Sequence, residues 1–256
     1  MIKFLRNLRR RALEEGGLGR YLAYATGEIL LVVIGILIAL QINTWNDARK
    51  DRQKELVYLA NIRADLVANI AEMDRTLEVR TARIAAARRI LDHFNGKPIE
   101  DASAFNADGI GIYSWQRFYL GDNGYQELVN SGNFALLRNH AIKDQLLDID
   151  ALYRKMKGEE DHYRFDTETT LYAPLHQTMD TEAMVADFEY RVSGGKSGRK
   201  GAVDAATFAP FLRNQTLKNG FVMTIIGYNT MNAQMRELRQ RCETLVEAID
   251  AEVRRG

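Results

Sequence analysis

Three side chains on one stretch have the types and spacing for metal chemistry. Glu159 and His162 form an E-x-x-H pair, and Asp166 follows one helical turn later. On a helix, positions three and four apart share a face, so a carboxylate and an imidazole at this spacing can ligate one ion, as in carboxylate-bridged metal bundles. Such a centre also draws a second E-x-x-H and two further glutamates from other helices. No second E-x-x-H occurs here, so the triplet reads first as a solvated acidic face. Gly195-Lys196-Ser197 has the ending of a phosphate-binding loop, but the first glycine of G-x-x-x-x-G-K-S would fall at Tyr190, and no apolar strand precedes it. His93, His140 and His176 are isolated, no G-x-S-x-G is present, and Cys242 lies on an apolar line where a buried thiol is expected. The residues therefore point to no catalytic, cofactor or metal centre.

Glu28 is the remaining chemical candidate, and its setting organises the chain. From Ile29 to Leu40 every residue is apolar except Gly35, and weaker apolar character extends from Tyr21 to Ile42. About 20 residues of this kind cross a bilayer core as an α-helix. Tyr21 and Tyr24 mark one end and Trp45 the other, and the steps from Tyr24 to Trp45 cover about 31 Å of helix. A transmembrane helix is thus expected over residues 21–46. A carboxyl one turn inside the bilayer must face protein, water or headgroups, because lipid cannot solvate it. Glu28 then reads as oligomer glue or an interfacial anchor, with a proton or ion site as the competing role. Ala23 with Gly27, and Gly35 with Ala39, are small-xxx-small pairs that let neighbouring spans approach closely. Together with Glu28 and Trp45 these residues form the expected membrane or oligomer interface.

Two stretches carry a family resemblance. GEILLVVIGILIALQINTWN, from Gly27 to Asn46, resembles the signature of a bacterial membrane-protein family that carries only a domain-of-unknown-function label. GYQELVNSGNFALLRN, from Gly124 to Asn139, is similar to the looser second pattern of that family. The resemblance implies an N-terminal anchor and a helical soluble part. It implies no activity.

Residues 1–20 carry Lys3, Arg6, Arg9, Arg10, Arg11 and Arg20 against Glu14 and Glu15, with Ile2, Leu5, Leu8 and Leu13 at near-helical spacing. This is either a helix lying on an anionic membrane surface or a set of topology-setting charges. Both readings place the N-terminus in the cytoplasm and residues 47–256 outside it, in the periplasm of a Gram-negative cell. No A-x-A-like site follows the apolar core, so the segment is expected to remain as an anchor in the inner membrane.

The rest reads as helix. The chain has three prolines, 46% hydrophobic residues, a net charge of +1 and one cysteine, which leaves no basic field for nucleic acid and no intramolecular disulfide. From Asn46 to Phe94 there is neither glycine nor proline. A heptad frame from Leu56 puts Leu56, Leu59, Leu66, Ile70, Met73, Leu77, Ile84, Ala87, Leu91 and Phe94 on its seam, with Arg63 and Arg80 as the polar exceptions. Counting back in sevens carries Glu28, Gly35 and Ile42 onto the same line, so the span is expected to run unbroken into the soluble helix. Gly96 and Pro98 end it. Residues 97–138 suggest short helices, one capped by Asp122 or Asn123 and stopped at Gly132, beside the aromatics Tyr113, Trp115, Phe118, Tyr119 and Tyr125, for which packing outweighs a ligand pocket. A long helix is expected from about Asn139 to Ala173, a short one over residues 181–190, a basic glycine-rich loop from Arg191 to Gly201, and a last long helix from Pro210 to about Val253.

The expected fold is all-α: one N-terminal transmembrane helix continuing into an elongated antiparallel helical bundle. The expected function is a non-enzymatic, oligomeric, membrane-anchored protein whose bundle serves as an accessory, scaffold or sensor module. Its partners are the lipid bilayer and a second copy or a membrane-protein complex, not nucleic acid. A small ion- or proton-conducting oligomer lined near Glu28 is the alternative, and a metal-bundle enzyme using Glu159, His162 and Asp166 the third.

Overall fold

The computed structural model describes residues 18–113 and 117–255; the basic segment before Leu18, and Trp115, lie outside the described residues. The chain groups into two compact units, Met1–Val57 and Tyr58–Gly256. All regular structure among the described residues is helical, as composition and spacing imply.

Helix α1 runs from Leu18 to Phe94 without a break. Its length follows from the sequence: no proline interrupts it, and no glycine falls after Gly35 until Gly96, whose φ of +104° turns the chain out of the helix. In the first unit every residue from Thr26 to Lys50 is exposed. By length and composition this is the one described helix able to cross a membrane.

In the second unit α2 spans Ala102–Tyr113, α3 Asn123–Asn130, α4 His140–Thr167, α5 Ala173–Thr178, α6 Thr181–Val192, α7 Ala209–Leu212 and α8 Gln215–Arg255. Polar side chains set several starts. Asn139 Oδ1 accepts the Ala141 N–H at 3.0 Å to open α4, Asp180 Oδ1 accepts those of Glu182 and Ala183 to open α6, and Asn214 Oδ1 accepts those of Thr216 and Leu217 to open α8.

Two of the three prolines, Pro174 and Pro210, act differently from expectation. Pro174 does not end the second long helix. A π-helical turn, Glu168–Tyr172, follows α4 and leads directly into α5, so the helical run continues to Thr178. The wider turn relieves the clash that a proline ring makes with the carbonyl four residues back. Pro210 opens only the single turn α7, and the long helix starts afresh after Asn214, because Asn214 caps it.

Three long helices frame the second unit. Along α1 and α8, Arg63 meets Asp250, Asp74 meets Arg239, Arg83 meets Tyr228 and Asn95 meets Lys218, a descending series that makes the two antiparallel. Along α4 and α8, Asn139 meets Glu252, Asp148 meets Arg241 and the Tyr163 ring packs against that of Tyr228, so these are antiparallel as well. Hence α1 and α4 are parallel, and residues 95–139 carry the chain back along the bundle between them.

The buried line of α1 passes through Leu59, Ile62, Leu66, Asn69 and Met73, then Arg80, Ile84 and Ala87. In its first half Ile62 and Asn69 take the inward places that the heptad frame gives to Arg63 and Ile70. The reason is that α1 packs on two helices rather than one, so its buried face is wider than a two-stranded seam. Arg63, at the rim, turns to Asp250 instead. One core contains Leu59, Leu66, Met73, Leu146, Met156, Met235 and Leu245. A second gathers Ile90, Phe105, Leu171, Met184, Phe208, Phe211 and Phe221. Each fully buried aliphatic or aromatic side chain contributes about 1.5–3 kcal/mol.

Candidate functional site

In the apolar stretch of α1, Ala23, Gly27, Glu28, Gly35, Ala39 and Trp45 are all exposed. A Cβ built on Gly27 or Gly35 meets nothing within 4 Å. The described chain therefore leaves this face bare. Bare apolar surface of this extent requires lipid or other protein to cover it.

The stretch from Gly124 to Asn139 is a structural clasp. Asn69 Nδ2 donates to Gly121 O at 2.6 Å, while Asn69 Oδ1 accepts the Gly121 N–H at 2.8 Å. Asp65 accepts the Gly124 N–H at 2.7 Å, filling the capping role for α3 that the sequence assigns to Asp122 or Asn123. Gly124 lies so close to α1 that a Cβ there would sit 2.9 Å from Ile62 N. Asn133 Nδ2 donates to both Tyr58 and Ser131 hydroxyls at 2.9 Å, and Asn139 reaches Glu252 on α8. The Ser131-Gly132-Asn133 turn, with Gly132 at φ +72°, thus locks the returning segment onto α1.

Midway along the bundle lies a buried polar level. The Arg80 guanidinium donates to Glu160 through one Nη, and both side chains are almost fully buried. The α1–α8 register brings Asn232, also buried, to the same level. Next to it, the Tyr163 and Tyr228 rings pack at a tilt of 48° with centroids 5.0 Å apart, and Arg83 donates to the Tyr228 hydroxyl at 3.1 Å. Burial, reinforced by Tyr228, pushes the Tyr163 phenol well above its ordinary range.

Glu159, His162 and Asp166 lie together on the outward flank of α4, with His162 Nε2 3.6 Å from Asp166. Among the described residues no group of three or more His, Cys, Asp or Glu side chains is disposed to hold a metal ion. The three residues instead wall a groove of about 160 Å³ between α4 and α8, opposite Met223, Ile226 and Thr230.

The aromatics of residues 113–125 are divided rather than clustered. Phe118 is buried in the first core, Tyr113 packs against the second, Tyr125 meets Phe134, and Tyr119 is 68% exposed beneath Lys157. In the basic loop, Ser193 Oγ accepts the Lys196 and Ser197 N–H groups, which closes the turn on itself. Cys242 is fully buried, and desolvation pushes its thiol up to about 12. Sequence reasoning passed over Asp65, Asn69 and the α4–α8 groove. The one signal was Gly227 inside a long helix, which marks a place where another group comes close; Asp65 and Asn69 lie off the a and d positions of the heptad frame, so its pattern does not single them out.

Compared with family models, residues 28–165 match DUF6090, described as a family of unknown function. No curated protein and no solved structure matches the chain.

Proposed function

The chain belongs to DUF6090, a family of unknown function, and from that premise we propose that it is a membrane-anchored, non-enzymatic protein that self-associates through α1 and uses its helical second unit as an accessory, scaffold or sensor module. The observation that carries this reading is the bare stretch of α1: from Thr26 to Lys50 nothing in the described chain covers the helix, although Ile29–Leu40 is apolar throughout except for Gly35. In water such a surface costs about 25 cal/mol per Å², a penalty that a bilayer removes. The second unit supports a binding role rather than a chemical one. Its buried polar groups hold helices in register, and its carboxylates gather on an open flank instead of an enclosed pocket.

The orientation follows from charge: six basic residues precede the span and four follow it among acidic neighbours, so residues 1–20 face the cytoplasm and the second unit lies beyond the inner membrane. Protease added to spheroplasts tests both parts. The proposal expects the chain to pellet with membranes and the second unit to be digested from outside. A chain recovered in the soluble fraction defeats the anchor, and a second unit resistant until lysis reverses the orientation.

A further inference from the structure

We propose that the groove between α4 and α8 is a docking site for a basic amphipathic helix of a partner protein. The inference rests on the accessory reading above and names the chemistry of its partner.

The groove has two lanes. On α4, Glu159, His162 and Asp166 stand at i, i+3 and i+7; on α8, Met223, Ile226 and Thr230 stand at the same spacing. Because the helices are antiparallel, Glu159 lies near Thr230 and Asp166 near Met223. A lane of two carboxylates with His162 between them, its Nε2 3.6 Å from Asp166, therefore runs beside a largely apolar lane for about two helical turns, roughly 10 Å. Met223 and Ile226 are 40% and 52% exposed, values that mark apolar side chains without a partner. The floor is Gly227 against the face of Tyr163, and a side chain at position 227 would collide with that ring. The glycine thus brings the two helices together and keeps the floor low.

A helix with one apolar stripe and one lysine or arginine stripe, each at i, i+3 or i+4, i+7, matches both lanes at once. Its apolar side chains cover Met223 and Ile226, where the flexible thioether adapts to their shape. Its cations approach Glu159 and Asp166, and no charged side chain on the α8 wall competes with them. An acidic helix meets like charge on the α4 wall, and a purely apolar one leaves two carboxylates desolvated.

The test uses the full chain in nanodiscs of zwitterionic lipid. The probe is a fluorescent 18-residue leucine–lysine amphipathic peptide, with its leucine–glutamate counterpart and empty nanodiscs as controls. The expected result is saturable binding of the lysine peptide above the empty-disc level, weakened roughly fivefold by Glu159→Gln combined with Asp166→Asn and abolished by Ile226→Glu, with Ala82→Glu on the outer face of α1 without effect. Binding equal to that of empty discs, equal for both peptides, or unchanged in the double variant overturns the proposal, as does weakening by Ala82→Glu equal to that of the double variant. A chain that stays outside the nanodiscs defeats the anchor instead, and the same titration is then read on the free protein.

Discussion

Asn69 on α1 grips Gly121 by both of its backbone groups, donating to the carbonyl at 2.6 Å and accepting from the N–H at 2.8 Å. A buried amide here does the work of a neighbouring strand: it satisfies a stretch of irregular backbone where the chain returns along the bundle. Leucine at this position fits the core but leaves both Gly121 groups without a partner. Asn69→Leu is expected to lower stability by about 1–3 kcal/mol. Chemical denaturation of the full chain in detergent checks this, and an unchanged midpoint would mean that solvent replaces both bonds.

The Arg80–Glu160 pair is buried, so its two halves are unequal to their sum. Arg80→Met leaves a carboxylate stranded in the core and is expected to cost about 3–5 kcal/mol. The double variant Arg80→Met, Glu160→Leu removes both desolvated charges and is expected to recover most of that loss. Thermal unfolding of the three proteins decides it. A double variant no more stable than Arg80→Met shows that the pair holds the helices by geometry that apolar packing cannot reproduce.

Cys242 is fully buried in the first core, with its thiol pushed up to about 12. It is expected to resist thiol reagents in the native protein at pH 8 and to react fully in denaturant. The same shift has a pH consequence. An unfolded thiol ionises near roughly pH 8.5, so above that pH ionisation favours the unfolded state while the folded thiol stays neutral. The contribution is therefore fully present below about 8.5 and is lost as pH rises toward 12. Stability is expected to fall more steeply over this range than in Cys242→Ala, and parallel curves would contradict the assignment.

The proposed self-association through the candidate span makes a paired prediction at Glu28 and Gly35. Glu28→Gln keeps a hydrogen-bonding group between helices and is expected to preserve assembly, whereas Glu28→Leu is expected to weaken it. Gly35→Leu adds bulk where backbones would meet and is expected to weaken it too. Cross-linking in membranes reads all three. Proton flux in liposomes that disappears in Glu28→Gln while assembly persists would turn the reading from glue to conducting path, because glutamine cannot titrate.

Much of this protein is decided by local chemistry and so is visible along the chain. The unbroken α1 follows from the absence of glycine and proline between Asn46 and Phe94, the stop at Gly96 from a left-handed φ that other residues avoid, and the candidate span from a run of apolar residues that no soluble bundle of this size needs. These features depend on the backbone and on transfer from water, which act residue by residue. The all-α fold class follows for the same reason.

What only the tertiary structure decided depends on which surfaces meet. Periodicity marks Leu59, Leu66 and Met73 as buried, but it carries no information on whether α1 packs against one helix or two; packing against two brings Ile62 and Asn69 inward and leaves Arg63 to Asp250. The parallel course of α1 and α4 is set by the length of the returning segment and by its attachments at Asp65, Asn69 and Tyr58, partners 52 to 75 residues distant in sequence. Pro174 and Pro210 read alike as helix punctuation, yet one is absorbed by a π turn and the other only opens a short turn, because the π segment and Asn214 decide locally what each proline interrupts. Glu159, His162 and Asp166 stand on one face of α4 by spacing alone. What stands opposite that face rests on α8, which sets Met223, Ile226 and Thr230 there across a groove.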